Sequence, residues 1–336
     1  MAAVSAAIIR RVPPALQGPT LQRPASADPA GPLVVSVVVN YDGLDDTRRC
    51  VTSLLAGAYR RHLIVVVDNG SRSGDAARLS DEFGDRIHVI AAGKNLGYGG
   101  GANLGLEWAT TREATYGWVL NNDTTVDEAC IGRLVDAMES NAGYGILSPQ
   151  ISAAIGPEAP SGIWFAGGRV LLRRAETRHS VTPAEGSGVV ETEYVTGCAM
   201  FMRCAALADT GLFWERLFLF WEDVDLSLRM RRAGWRLGVL PDARIRHEIH
   251  GTIASRTLEY YHFRNALVVV RTYGSRATAA SALLFLAGGV ARRWARALLR
   301  RKPAPSGATR GFLVGIWYAV RWPASREPRT QSGYSR

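Results

Sequence analysis

The chain has 336 residues, 47% of them hydrophobic, enough to bury one large core or a main domain with a smaller appendage. Its formal charge of +10 is uneven: residues 264–336 carry fourteen Arg or Lys against Glu327 alone, a net of +13, which leaves about −3 for residues 1–263. Four widely spaced cysteines (Cys50, Cys130, Cys198, Cys204) with no CxxC pair exclude a disulfide framework, point to reduced thiols in a cytosolic protein and give no reason to expect structural zinc.

Residues 1–32 begin with a short Ala/Ile run, place Arg10 and Arg11 after it and continue into Pro/Ala/Gln sequence. In a secretory signal the cations come first, so this segment is expected to be a disordered extension. From residue 33 the pattern changes. "LVVSVVVN" (33–40) and "HLIVVVD" (62–68) are continuous Val-rich runs, the pattern of strands covered on both faces in a parallel sheet. "RIHVIAA" and "YGWVLN" predict two more strands, and "DDTRRCVTSLLAGA", "GDAARLSDEFG" and "GGANLGLEWATTREA" carry helical spacing between them. This alternation predicts an open α/β sheet that binds ligands at the carboxyl ends of its strands.

Those ends are polar at every strand. Asn40, Tyr41 and Asp42 follow the first; Asp68, Asn69, Gly70 and Ser71 the second; Lys94, Asn95 and a glycine cluster the third; Asn121, Asn122 and Asp123 the fourth. One such end is ordinary turn chemistry, whereas four on one sheet edge point to a ligand. The glycine stretch "NLGYGGGANLG" (95–105) is not a dinucleotide fingerprint, because that motif belongs after the first strand, where this chain has "NYDGLDD". Its glycines leave two readings open: amides near a helix N-terminus that approach an anionic ligand, or a flexible loop.

Downstream, "LFLFWEDVDLSLRMRRAGW" predicts a helix that starts at Glu222 and Asp223 and ends at Gly234. The acids either complement the helix dipole or include a general base. "WRLGVLPDARIRHEIHG" predicts strand, turn, strand, with Ala243, Ile245 and His247 on one face and Arg244 and Arg246 on the other. His247 is a core histidine or a metal ligand, and His250 a weaker candidate for the second role. In the tail, Ala277 to Ala291 is an uncharged run of fifteen residues, short of the roughly 20 that span a bilayer. Arg292, Arg293, Arg296, Arg300, Arg301 and Lys302 follow it, and then the apolar "GFLVGIWYAVRW". Apolar runs flanked by cations suit helices lying on an anionic membrane surface, or packed helices with a solvated basic face.

Eight segments in order, "VSVVVNYDGLDDTRRCVTSLL", "IVVVDNGSRSGD", "GKNLGYGGGANLGLEWA", "GWVLNNDTTVD", "VTGCAMFMR", "GLFWERLFLFWEDVDLSLRMRRAGW", "ARIRHEIHGT" and "LEYYHFRNAL", resemble the family 2 glycosyltransferases over about residues 33–275. Within that family the chain looks most like the bacterial rhamnosyltransferase-type enzymes. The resemblance implies a GT-A fold, a mostly parallel Rossmann-like sheet flanked by helices, with a helical basic C-terminal tail. It implies a glycosyltransferase domain over 33–263, divided into a nucleotide-binding half (33–125) and an acceptor and catalytic half (126–263), and then the basic region 264–336.

Carried over by position, the resemblance assigns Asp68 to the imide of a pyrimidine base framed by Asn40 and Tyr41. Asn95, Gly97 and Gly100 would line the nucleotide and sugar, and Gly197 and Cys198 would border the sugar. Asp123 is the acid of a DxD-like metal motif with His247 as second ligand, and Asp223 matches the catalytic base with Glu222 beside it. The implied cofactor is Mg2+ or Mn2+. The implied donor is a dTDP- or UDP-sugar carrying rhamnose or another deoxyhexose, transferred with inversion to a glycan, lipid-linked or natural-product acceptor. Asn121 and Asn122 stand where some members have acids and become neutral donor-site groups, so metal binding is expected to be weak without donor phosphates. The expected location is the cytoplasm, at the inner face of the membrane. Two rivals are a non-catalytic nucleotide-sugar binder and a nucleotidyltransferase, the latter wanting a glycine-rich basic loop where "NYDGLDD" stands. A nucleic-acid partner would explain the Arg-rich tail but not the polar strand ends, and none is expected.

Overall fold

The computed structural model describes residues 31–153, 162–182, 188–249, 255–301 and 304–321. The extension expected over 1–32 falls almost wholly outside them, as does His250. Strands β1 (Val34–Asn40), β2 (His62–Asp68), β3 (His88–Ala91) and β4 (Tyr116–Asn121) lie parallel in the order β3, β2, β1, β4. Helices α1 (Leu44–Leu55), α2 (Asp75–Phe83) and α3 (Gly97–Thr111) make the crossovers. Alternate residues of β1 serve opposite cores. Val34 and Val38 pack in one cluster with Val51, Leu54 and Trp118, while Val35, Val37 and Val39 pack in another with Leu106 and Trp108. Each aliphatic side chain so buried contributes about 1.5–3 kcal/mol, which is why these strands read as unbroken valine.

The second half of the sheet is mixed. After β5 (Thr124–Val126) and α4 (Cys130–Ser140) come β6 (Tyr144–Ser152), the short β7 (Ile163–Phe165), a hairpin of β8 (Gly168–Leu171) and β9 (Glu176–His179), and β10 (Val190–Glu191). Strand β11 (Ala199–Arg203) then inserts antiparallel between β4 and β6. Helices α5 (Cys204–Thr210) and α6 (Glu222–Arg232) lead to β12 (Arg236–His247), which lies parallel to β6. The sequence predicted strand, turn, strand here; β12 is instead one strand whose register against β6 slips between Leu240 and Arg244. Pro241, with no N–H for the ladder, sits in the slip, and the irregularity lets the strand continue past it. Its faces are as predicted, with Ala243, Ile245 and His247 buried and Arg244 and Arg246 exposed.

Three helices follow: α7 (Ser255–Tyr273), α8 (Arg276–Leu299) and α9 (Ser306–Arg321). Ser275 caps α8, its hydroxyl accepting from the Thr278 amide at 3.1 Å. Helix α9 presses a glycine stripe onto α7: a Cβ at Gly307 or Gly311 would lie 2.3 Å from the carbonyl oxygen of Arg256 or Tyr260. No described helix is long and apolar enough to cross a membrane.

Candidate active site

Register gathers the polar strand ends. Asn40 lies beside Asp68, and Val39 lies between Val67 and Asn121. Asn40 is buried and braces this edge from beneath. Its amide nitrogen meets Asp68 Oδ1 (3.2 Å), Ser71 Oγ (3.1 Å) and Asp75 Oδ2 (3.0 Å), and its oxygen accepts from Gly43 N (3.2 Å) and Thr47 Oγ1 (2.8 Å). Asn122 points the same way, donating to Thr47 Oγ1 (3.0 Å) and the Gly43 carbonyl (3.2 Å). Both side chains hold the β1–α1 turn, which carries half-buried Tyr41. Asp68 is buried at the floor and also accepts from the Ser71 amide at 3.3 Å.

The start of α3 is set by two asparagines. Asn95 Oδ1 accepts from the Gly97 amide (2.8 Å), while Asn69 accepts from the Leu96 amide (3.0 Å) and donates to the Gly97 carbonyl (3.0 Å). Gly97 has φ +79°, and a Cβ there would sit 2.3 Å from the Phe218 carbonyl oxygen. Gly100 turns toward Leu96 and Glu215. At these two positions the close approach that glycine permits is to the protein's own backbone and side chains. Asn69 and Tyr98 are the residues that the assigned set lacks. Tyr98 donates its hydroxyl to the Gly197 carbonyl, and its ring lies within electrostatic reach of Cys198, Glu222, Asp223 and Asp123. A lone aromatic inside the glycine run was its only signal in sequence.

Asp123 follows β4, and the pairing of β5 with the end of β12 sets His247 opposite Thr124. His247 Nε2 consequently lies 3.1 Å from Asp123 Oδ1, with the Trp164 ring edge-on at 4.6 Å. Burial disfavours the imidazolium, but neighbouring Cys198 and Asp123 outweigh it and push His247 up to about 10. A cation bound here would have to displace the imidazole proton. One carboxylate and one imidazole suit a hard or borderline divalent ion if phosphate oxygens complete its shell. Among the described residues no group of three or more His, Cys, Asp or Glu could hold a metal.

The Asn121 amide donates to the Cys198 carbonyl at 3.0 Å, which ties the end of β4 to the 196–198 loop. On the other side of that loop the Gly197 amide donates to Asp223 Oδ2 (2.8 Å), while Asp223 Oδ1 accepts from Val224 N (2.7 Å). Burial raises Asp223 above the usual carboxylate range although these amides favour its charged form. Burial and then the charge of Asp223 push its neighbour Glu222 up to about 8. The site therefore brings together the Asp123–His247 pair, a polar floor and a partly exposed carboxylate of raised basicity.

Residues 35–184 match the family model described as Glycosyl transferase family 2, and residues 118–322 match Glycosyl transferase family group 2. The chain is 27% identical over 235 residues, 64% of its length and 76% of the relative's, to N-acetylglucosaminyl-diphospho-decaprenol L-rhamnosyltransferase of Mycobacterium tuberculosis. It is 27% identical over 210 residues, 60% of its length and 62% of the relative's, to the low-salt glycan biosynthesis hexosyltransferase Agl10 of Haloferax volcanii. Among solved structures it is similar to S. aureus TarS 1–349 in complex with UDP-GlcNAc (TM-score 0.55, 15% identity, 86% of this chain and 81% of that one). It is also similar to GalNAc-T7 with UDP, GalNAc and Mn2+ (TM-score 0.57, 15% identity, 72% of this chain and 49% of that one).

Proposed function

The chain belongs to the family 2 glycosyltransferases with the GT-A fold, and we propose that it moves rhamnose or another deoxyhexose from a nucleoside-diphosphate donor to an acceptor hydroxyl, with inversion. The observation that carries the reading is Asp223: a carboxylate of raised basicity, held by two backbone amides, one of them from Gly197 in the same 196–198 loop whose Cys198 neighbours His247. The acceptor oxygen forms its bond to the anomeric carbon as the bond to the leaving diphosphate breaks, and its proton passes to Asp223. Glu222 positions Asp223 and the substrates. Asp68 takes the hydrogen bond of a pyrimidine base, and Asn40 acts on that base through the placement of Asp68 and Tyr41. Mg2+ or Mn2+ held by Asp123 and His247 would supply charge stabilisation to the leaving group. The rhamnosyltransferase relative supports a deoxyhexose and a lipid-linked acceptor in cell-wall or polysaccharide synthesis; a dTDP- or UDP-sugar is the matching donor.

Incubating the protein with a panel of dTDP- and UDP-sugars, with and without Mn2+, tests this. One donor is expected to be consumed with metal present, and Asp223→Asn to lose about 100-fold or more of that rate. A wild-type rate in Asp223→Asn would remove the base assignment. Nucleotide binding with no consumption of any sugar would favour the non-catalytic binder. Asp123→Ala is expected to be inactive.

The same reading places the enzyme against the anionic inner face of the membrane. Among the described residues, the exposed large apolar side chains other than Val190 and Phe220 all lie on α8 and α9. Leu313, Trp317 and Val320 share the face of α9 opposite its glycine stripe, between Arg310 and Arg321. Neither α8 nor α9 contains an acid. Co-sedimentation with phosphatidylglycerol vesicles is expected for the whole chain and not for the Leu313→Glu/Trp317→Glu variant; equal sedimentation of the two would remove this placement.

A further inference from the structure

Asn265 of α7, in the "HFRNAL" segment, is fully buried and reaches a loop more than forty residues earlier. Its amide nitrogen lies 2.7 Å from the Leu217 carbonyl oxygen and 2.8 Å from those of Leu219 and Phe220. Its own oxygen accepts from Arg264 Nε at 2.7 Å, and Arg264 Nη2 donates to the Arg216 and Leu217 carbonyls, each at 2.8 Å. The loop so held is not one that L-residues adopt unaided. Phe218, Phe220 and Trp221 have φ of 64°, 65° and 71°, the left-handed region in which a Cβ crowds the following carbonyl.

Two contacts tie this loop to the site. The Phe218 carbonyl accepts from the Tyr98 amide at 2.7 Å, so the loop lies on the start of α3. Trp221 is the residue from which α6 begins, so its dihedrals set where Glu222 and Asp223 emerge. We propose that Asn265 is a positioning residue for sugar transfer: its amide latches the carbonyls of residues 217, 219 and 220 and thereby fixes where Asp223 emerges at the start of α6. Only a donor suits that place, because three carbonyls converge on it; a carboxylate of the same shape would face them with like charge. This rests on Asp223 being the base.

Asn265→Asp keeps size and shape, and Asn265→Ala removes the amide. For each, thermal unfolding, UDP affinity and the kcat and KM for the consumed donor are read well below the melting temperature. With the latch broken, kcat is expected to fall about 10–100-fold in both variants, with UDP affinity and KM within about threefold of wild type. A role in packing alone would leave Asn265→Asp at wild-type kcat, and a role in stability alone would lower the melting temperature of both with kcat unchanged; either result overturns the latch. If neither variant folds, Arg264→Met, which keeps the Asn265 amide and removes the guanidinium bonds to the residue 216 and 217 carbonyls and to the Asn265 oxygen, is read in the same way, with kcat expected to fall about 3–10-fold. Asp223→Asn is run alongside. Full activity there removes the base, whereas an inactive Asp223→Asn with fully active Asn265 variants removes the latch alone.

Discussion

The proposed reaction turns on two adjacent carboxylates that burial makes hard to ionise. Glu222, ordinarily near 4.5, is pushed up to about 8 by burial and by the charge of Asp223. Between those limits the folded protein retains a proton that the unfolded chain has released, so the contribution of Glu222 is present below about pH 4.5 and is lost as the pH rises to about 8. Glu222→Gln is therefore expected to melt at a higher temperature than wild type at pH 8, by roughly 2–4 °C per kcal/mol recovered, and to show a flatter dependence of melting temperature on pH. Glu222 is still protonated at the pH where Asp223 ionises, and burial alone raises Asp223, so the acid limb of the kcat/KM profile is expected to stay where it is in wild type. Calorimetric scans and a pH–rate series measure the two outcomes independently. At this scale the sequence announces which residues stand at strand ends. It does not announce which way they turn. Asn40 and Asn122 spend their amides on the β1–α1 turn because Gly43, Thr47 and Asp75 lie within reach only once α1 and α2 pack on the sheet.

At the scale of elements, the parallel half was legible because both faces of β1, β2 and β4 are covered and the valine runs say so. The insertion of β11 between β4 and β6 was not, since neither chain order nor burial pattern states which strand neighbours which. The slip at Pro241 was read as a turn for a related reason: a proline in a strand and a proline in a turn leave the same mark in one dimension. The glycines of the tail divide in a way that sequence alone hides. Gly311 faces the Tyr260 carbonyl with 2.3 Å for a Cβ, whereas Gly288 meets nothing nearer than the movable end of Arg292 at 3.4 Å. Gly311→Ala is expected to cost about 1–3 kcal/mol as α9 is pushed off α7. Gly288→Ala is expected to stabilise by about 0.5–1 kcal/mol through helix propensity. Denaturant unfolding of both variants checks the contrast, and equal behaviour would mean that α9 does not dock through its glycine stripe.

Across the whole molecule, charge is partitioned as the chemistry requires: about −3 over residues 1–263, which hold the cleft acids, and +13 over 264–336. On the proposed function the two regions take opposite ligands. A cation with phosphates suits the cleft, and an anionic surface suits α8 and α9, where Leu298 and Leu299 are 82% and 83% exposed beside Arg296 and Arg300. Attraction and insertion are separable because salt screens the first and leaves the second intact. Raising salt from about 0.05 to 0.5 M is thus expected to weaken binding to phosphatidylglycerol vesicles without abolishing it, as the Debye length falls below about 10 Å. Replacing Arg296 and Arg300 by Gln should flatten that salt dependence, whereas Trp317→Glu should leave only binding that is lost at high salt. A purely Coulombic tail would behave otherwise: it would release completely at high salt, tolerate Trp317→Glu, and bind nucleic acid of equal charge density as well as vesicles. On the proposed placement the apolar face of α9 selects the membrane over the polyanion, and parallel titrations with vesicles and duplex DNA decide between them.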